Sequence, residues 1–140
     1  MSVQEMLDLF GALADGKRLR ILKLLELGEL CLCHIIAATE MNYAAATGHL
    51  KVLIRAGLLK ERKIGKVSYY TKDFAPVYLI FPVEKLMRDL HDPETTADRE
   101  RLVFFLRNGR NKCDIYLKAN GHQLDSLERS KKRYLTVTSG

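Results

Sequence analysis

A chain of 140 residues that is 47% hydrophobic has enough apolar content for a compact core, which excludes disorder throughout. The opening "MSVQEMLDLF" lacks the basic start and apolar block of a secretory leader, and the longest apolar run, "APVYLIFPV", is far too short to span a bilayer, so a cytoplasmic protein is expected. Three cysteines cannot all pair within one chain, which favours free thiols or metal ligands over a disulfide frame, and the net charge of +6 is gathered in one place: residues 42–72 hold seven Lys/Arg against one acid, Glu61.

In chain order, "QEMLDLFGALAD" spaces Met6, Leu9, Phe10 and Leu13 as one helix face, predicting a first helix over about 3–14. After Asp15-Gly16, the stripe Leu19, Ile21, Leu22, Leu24, Leu25 and Leu27 predicts a second helix with a buried face, stopped by Gly28. "ELCLCHIIAATE" predicts a short third helix ending near Thr39-Glu40. "YAAATGHLKVLIRAG" then predicts a fourth, with Asn42 as its N-cap and Gly57 as its stop. Two short helices joined by three or four residues, the second carrying cations, fit a helix-turn-helix. "LLKERKIGKVSYYTK" predicts two strands, about 58–63 and 67–71, around a turn at Gly65 with Lys63 and Lys66 at its tip.

Beyond Asp73 the pattern is weaker. Pro76 and Pro82 interrupt any helix through "VYLIF", and the next helix is expected over about 83–91. "DPETTADRERLVFFLRNG" predicts another, capped at Thr95 or Thr96 and stopped at Asn108-Gly109; a further run reaches about Ala119, and "HQLDSLERSKKRYL" closes the chain with a basic cluster.

Three stretches carry a resemblance. "ALADGKRLRILKLL", "ELCLCHI" and "HLKVLIRAGLL" with "RKIGKVSYY" resemble the second helix, metal box, recognition helix and wing of the ArsR/SmtB family of metalloregulatory repressors, over about 65 of the 140 residues. The resemblance implies a mainly α fold with a β-hairpin wing, a winged helix-turn-helix followed by C-terminal helices. It also implies a homodimer that binds a double-stranded DNA operator. The division expected is a DNA-binding and dimerisation domain over 1–92 and a helical extension over 93–140 whose part in the dimer interface is left open.

A recognition helix offers its N-terminal side chains to base edges while cations fix it on phosphates. The candidate DNA-binding residues are therefore Tyr43, Ala44, Ala45 and Thr47, then His49, Lys51 and Arg55, with Lys63 and Lys66 on the wing. Where the family usually has a basic or amide residue, this chain has Gly48, which removes a contact and costs about 1 kcal/mol of helix propensity relative to Ala.

On a regular helix residues i and i+2 point nearly opposite ways, so Cys31 and Cys33 can share an ion only at an irregular helix start. A helix N-terminus would lower their thiol pKa values, and two soft sulfurs select arsenic(III), antimony(III), cadmium, lead or zinc over hard ions. Family arsenic sensors often carry a third Cys where this chain has Ile36, and an Asp where it has His34. The third ligand is left open between solvent, His34 and Cys113. His91 and His122 lack the spacing of the family's other metal site and are assigned nothing.

The resemblance thus implies a repressor that releases DNA when a thiophilic ion binds Cys31 and Cys33. Two alternatives stand beside it: a thiol redox sensor joining Cys33 or Cys31 to Cys113, and a winged-helix DNA-binding or architectural protein with inert cysteines. No P-loop, dinucleotide fingerprint, His-Glu-x-x-His or nucleophile elbow is present, so no enzyme is expected.

Overall fold

The computed structural model describes residues 1–74 and 82–108. The interruption expected between Pro76 and Pro82 lies outside them, as does everything expected past Asn108, including Cys113, His122 and the basic cluster. No helix among the described residues is long and apolar enough to cross a membrane.

Helix α1 (Val3–Leu13) starts where the Ser2 hydroxyl accepts the Glu5 N–H at 3.0 Å, and it buries Leu9 and Ala12. Helix α2 (Gly16–Leu24) starts on the Asp15 carboxylate, which accepts the N–H groups of Lys17 and Arg18 at 2.9 and 3.1 Å. The predicted stripe is real, with Ile21, Leu22, Leu24 and Leu25 sealed from solvent. The helix itself is shorter than the stripe: Leu25–Leu27 tighten into a 3₁₀ turn. Gly28 follows with φ 126°, a conformation closed to residues with a Cβ, and it turns the chain sharply into the next element.

That element is a strand. Residues Leu30–Cys31 form β1, where an irregular helix start had been expected, and α3 runs over Leu32–Thr39. Three residues, Glu40, Met41 and Asn42, connect it to α4 (Tyr43–Arg55). Asn42 caps α4, its Oδ1 accepting the Ala45 N–H at 2.8 Å, and Ala46, Leu50 and Leu53 form the buried face. Strands β2 (Leu59–Ile64) and β3 (Val67–Lys72) make the hairpin, paired from Leu59↔Lys72 to Ile64↔Val67. Gly65 has φ 62° while Lys66 has no positive φ, the type II′ pattern of a two-residue hairpin turn. The wing is not the two-stranded ribbon expected from sequence. β1 adds to the far edge of β3, with Leu30 opposite Tyr70 and Cys31 opposite Tyr69, giving the order β1-β3-β2.

Helix α5 (Val83–Asp89) ends two residues before the predicted stop and buries Val83 and Met87. Helix α6 (Pro93–Asn108) begins earlier than predicted, and neither Thr95 nor Thr96 caps it. The Asp92 carboxylate accepts the Glu94 N–H at 2.9 Å, and Pro93 occupies the first helical position, where its fixed φ and missing N–H are harmless. The boundary expected at residue 92 thus falls at the start of α6. This helix lies across α3 and α2, and its Leu102 and Val103 belong to the same core as Ile21, Ile35 and Leu53.

Candidate functional site

With Ala46, Leu50 and Leu53 facing inward, helical periodicity places Ala44, Gly48, Lys51 and Arg55 together on the outer side of α4, and all four are exposed. Tyr43 stands at the N-terminal end, 67% exposed. Thr47 is half-buried, and its hydroxyl donates to the Tyr43 carbonyl at 2.7 Å, so its methyl is the part left to meet another surface. Ala45 sits at the edge of the face, half-buried.

His49 points elsewhere. Its Nδ1 lies 3.3 Å from a guanidinium nitrogen of Arg18, which also donates to the carbonyls of Gly11 and Ala12 at 2.9 Å each. The His49 ring is thus part of the packing of α4 against α1 and α2. Burial raises the Asp15 carboxyl pKa, but hydrogen bonds from the Arg18 and Lys17 N–H groups and the charges of Arg18 and His49 outweigh it, leaving that carboxyl below its ordinary 3.8.

The wing flanks the same side. Lys63 and Lys66 are exposed at its tip. In the basic block Lys60 pairs with Asp73 at 3.2 Å, Arg62 pairs with Glu29 and Lys72 lies over the Phe74 ring, while Lys51, Arg55, Lys63 and Lys66 have no acid within ion-pair distance among the described residues. Between helix and wing is a cleft lined by Tyr43, Thr47, Lys51, Glu61, Lys63 and Tyr70. Burial, with the Glu61 carboxylate nearby, raises the Tyr70 phenol pKa, so the phenol stays neutral. An exposed helix face beside a lysine-tipped hairpin is a shape and charge that can lie along a polyanionic duplex.

The two thiols are separated. Cys31, at the end of β1 and at the N-cap position of α3, is fully buried, with Sγ 3.2 Å from His34 Nδ1. Cys33 is exposed in the first turn of α3, while Cys31 is free. His34 is sealed in the interior, its ring edge-on to Phe105 of α6 at 5.6 Å between centroids. The described residues therefore bring together one sulfur, a soft donor, and one imidazole, a borderline one, and turn the second sulfur away. No group of three or more His, Cys, Asp or Glu able to hold a metal is assembled among them. As folded here, they do not fit a three-ligand site; sharing an ion between Cys31 and Cys33 requires the first turn of α3 to rearrange.

Sequence reasoning missed a second polar cluster, where Asp98 of α6 meets Arg20 and Arg101 at the C-terminal end of α3. The available signal was position: Asp98 lies one helical turn before the buried Leu102, a charge on a core-facing stripe.

Comparison with known proteins gives a consistent result. Residues 15–61 match the family model described as "Bacterial regulatory protein, arsR family". The chain is 44% identical over 110 residues to an arsenical resistance operon repressor of Escherichia coli K12, covering 76% of this chain and 87% of the relative. It is 38% identical over 68 residues to a transcriptional repressor SmtB homolog of Synechocystis, covering 49% of this chain and 52% of that one, so it spans about half of that relative's length. Among solved structures, it is similar to a homodimeric winged helix-turn-helix DNA-binding domain from Mycobacterium bovis, described as a possible ArsR-family transcriptional regulator. That match has a TM-score of 0.54 and 34% identity, and it covers 64% of this chain and 82% of the other.

Proposed function

Because the chain belongs to the ArsR family of bacterial regulatory proteins, we propose that it is a homodimeric repressor that binds double-stranded DNA and loses affinity when the thiols at the start of α3 react. The observation carrying this reading is the outer face of α4, with Ala44, Gly48, Lys51 and Arg55 exposed beside Lys63 and Lys66. Alanine and threonine methyls suit contact with thymine methyls, and the four cations suit phosphates. Relatives with the same domain are named as transcriptional regulators, which supports a binding rather than a catalytic role.

Dimerisation is supported by an apolar surface with no partner within the chain's described core. Val3 and Leu7 of α1 are 78% and 60% exposed one helical turn apart, and Leu86 of α5, 45% exposed, lines a groove together with Leu13, Leu19 and Leu90. The M. bovis domain is described as homodimeric, in keeping with this.

For the effector, we favour a thiophilic ion such as arsenic(III), antimony(III), cadmium, lead or zinc, held through Cys31 and Cys33 with His34 or Cys113 as the further ligand. The support is the Cys31 thiol beside the His34 imidazole at the start of the helix that leads into α4, and relatives named for arsenical and cadmium resistance. A second reading rests on the exposure of Cys33: oxidation of that thiol, with Cys113 as the partner, would be the input instead. DNA release measured against arsenite, cadmium, zinc and peroxide, for wild type and for Cys31→Ser, Cys33→Ser and Cys113→Ser, separates these. Release by arsenite that needs Cys31 and Cys33 supports the ion; release by peroxide that needs Cys33 and Cys113 supports oxidation. DNA affinity indifferent to all of them in reduced, folded protein refutes the switch.

A further inference from the structure

The Asp98 carboxylate is 1% exposed, and an ionised group so deeply buried is tolerated only with several strong hydrogen bonds. It has three, all from guanidinium groups: Arg20 Nε at 2.9 Å and Nη2 at 2.7 Å, and Arg101 Nη2 at 2.8 Å. The hydrogen bond to Asp98 raises the Arg20 pKa further, against desolvation, so that side chain is permanently charged.

Both guanidinium groups then continue to the same place. Arg20 Nη2 donates to the carbonyl of Thr39 at 2.9 Å, and Arg101 Nε donates to the carbonyl of Ala38 at 2.6 Å. These are carbonyls at the end of α3, where the helix ladder leaves acceptors unpaired and the helix dipole is negative. Immediately beyond them Glu40 has φ 59°, a left-handed conformation that is unfavourable for a residue with a side chain. Two residues later Asn42 opens α4. The hand-over from α3 to the helix with the exposed cationic face is therefore a strained turn whose upstream end is pinned from α2 and α6.

We propose that Asp98 is a positioning residue for DNA recognition: through Arg20 and Arg101 it fixes the end of α3 and so the angle at which α4 is presented. This rests on the reading of the chain as a DNA-binding protein. Apolar packing would hold α6 against α3 equally well, but it is non-directional, whereas five hydrogen bonds to named atoms define one register. Asp98 itself is buried, so its effect on DNA reaches it only through geometry.

The test uses the full-length reduced protein and two duplexes: one enriched by the wild type from a random-sequence pool, and a scrambled duplex of the same composition. Asp98→Asn is expected to weaken binding to the enriched duplex roughly tenfold, the order of one lost base-pair contact. Binding to the scrambled duplex and the salt slope are expected to stay unchanged, because every phosphate-facing cation is still present. If Asp98→Asn does not fold, Arg101→Gln, which leaves the Arg20–Asp98 pair intact, is expected to shift preference in the same direction by a smaller factor. Enriched-duplex affinity within about twofold of wild type in the folded variant, or an equal fall on both duplexes, overturns the proposal. A wild type that enriches no duplex overturns the DNA-binding reading itself, and the proposal with it.

Discussion

Gly48 is the position at which substitution should improve this protein. It lies mid-way along α4, it is exposed, its φ is not in the left-handed region, and a Cβ built there meets nothing within 4 Å. Gly48→Ala therefore removes only the conformational freedom that glycine retains in the unfolded chain, without steric penalty. The expected gain is about 1 kcal/mol per chain, roughly a fivefold rise in the folding equilibrium constant. Urea denaturation at fixed protein concentration measures it, and the midpoint should rise with an unchanged m-value. Because the alanine methyl adds no charge, the salt dependence of DNA binding should be unaffected. Gly48→Arg on the same site adds a cation beside Lys51 and Arg55 and should steepen the slope of log K against log salt by about 0.9 per protomer, one phosphate neutralised by each. A Gly48→Ala protein that is less stable than wild type, or a Gly48→Arg protein with an unaltered slope, would refute the placement of this residue on an open, DNA-facing surface.

Other outcomes follow from the same geometry. Lys63→Ala and Lys66→Ala should each make the salt slope shallower by up to about 0.9 per protomer while leaving the urea midpoint unchanged, since both side chains are exposed and neither has an acid partner among the described residues. Leu7→Glu should give a monomer by sedimentation, since it puts a charge into the exposed apolar face of α1. The Asp15 carboxyl is held below 3.8 in the folded protein, so it contributes stability that is present above that value and is lost as pH falls through its lower folded value. Asp15→Asn keeps a capping oxygen but drops the charge: its stability deficit, followed by urea titration across pH, should be constant at neutral pH and shrink below about pH 4.

Much of this architecture is legible locally. The Asn42 cap, the spacing of Ala46, Leu50 and Leu53, and the positive-φ glycines Gly57 and Gly65 each act within a few residues, so α4 and the hairpin can be placed from the sequence with errors of one or two positions. Strand β1 is not legible in this way. Two residues make no pattern, and Leu30 and Cys31 become a strand only because Tyr69 and Tyr70 of β3 are there to pair with them. That pairing also decides the fate of the thiols, sealing Cys31 inside while Cys33 remains outside. Asp98 shows the same limit from another direction. "TTADRERL" reads as a solvated helix, and its carboxylate is buried only because Arg20, 78 positions earlier, meets it in space. His49 was placed on the DNA side by its helix alone, whereas Arg18 of α2 draws its ring inward.

The central claim is that α4 and the wing are the surface that meets DNA. Backbone amide chemical shifts, recorded by NMR while a duplex enriched from a random pool is titrated into the reduced protein, test it directly. Saturable shifts are expected at Tyr43–Arg55 and at the Lys63–Lys66 tip, with α5 and the exposed face of α1 unmoved. Shifts centred on α1 and α5, or none at saturating duplex, would contradict it.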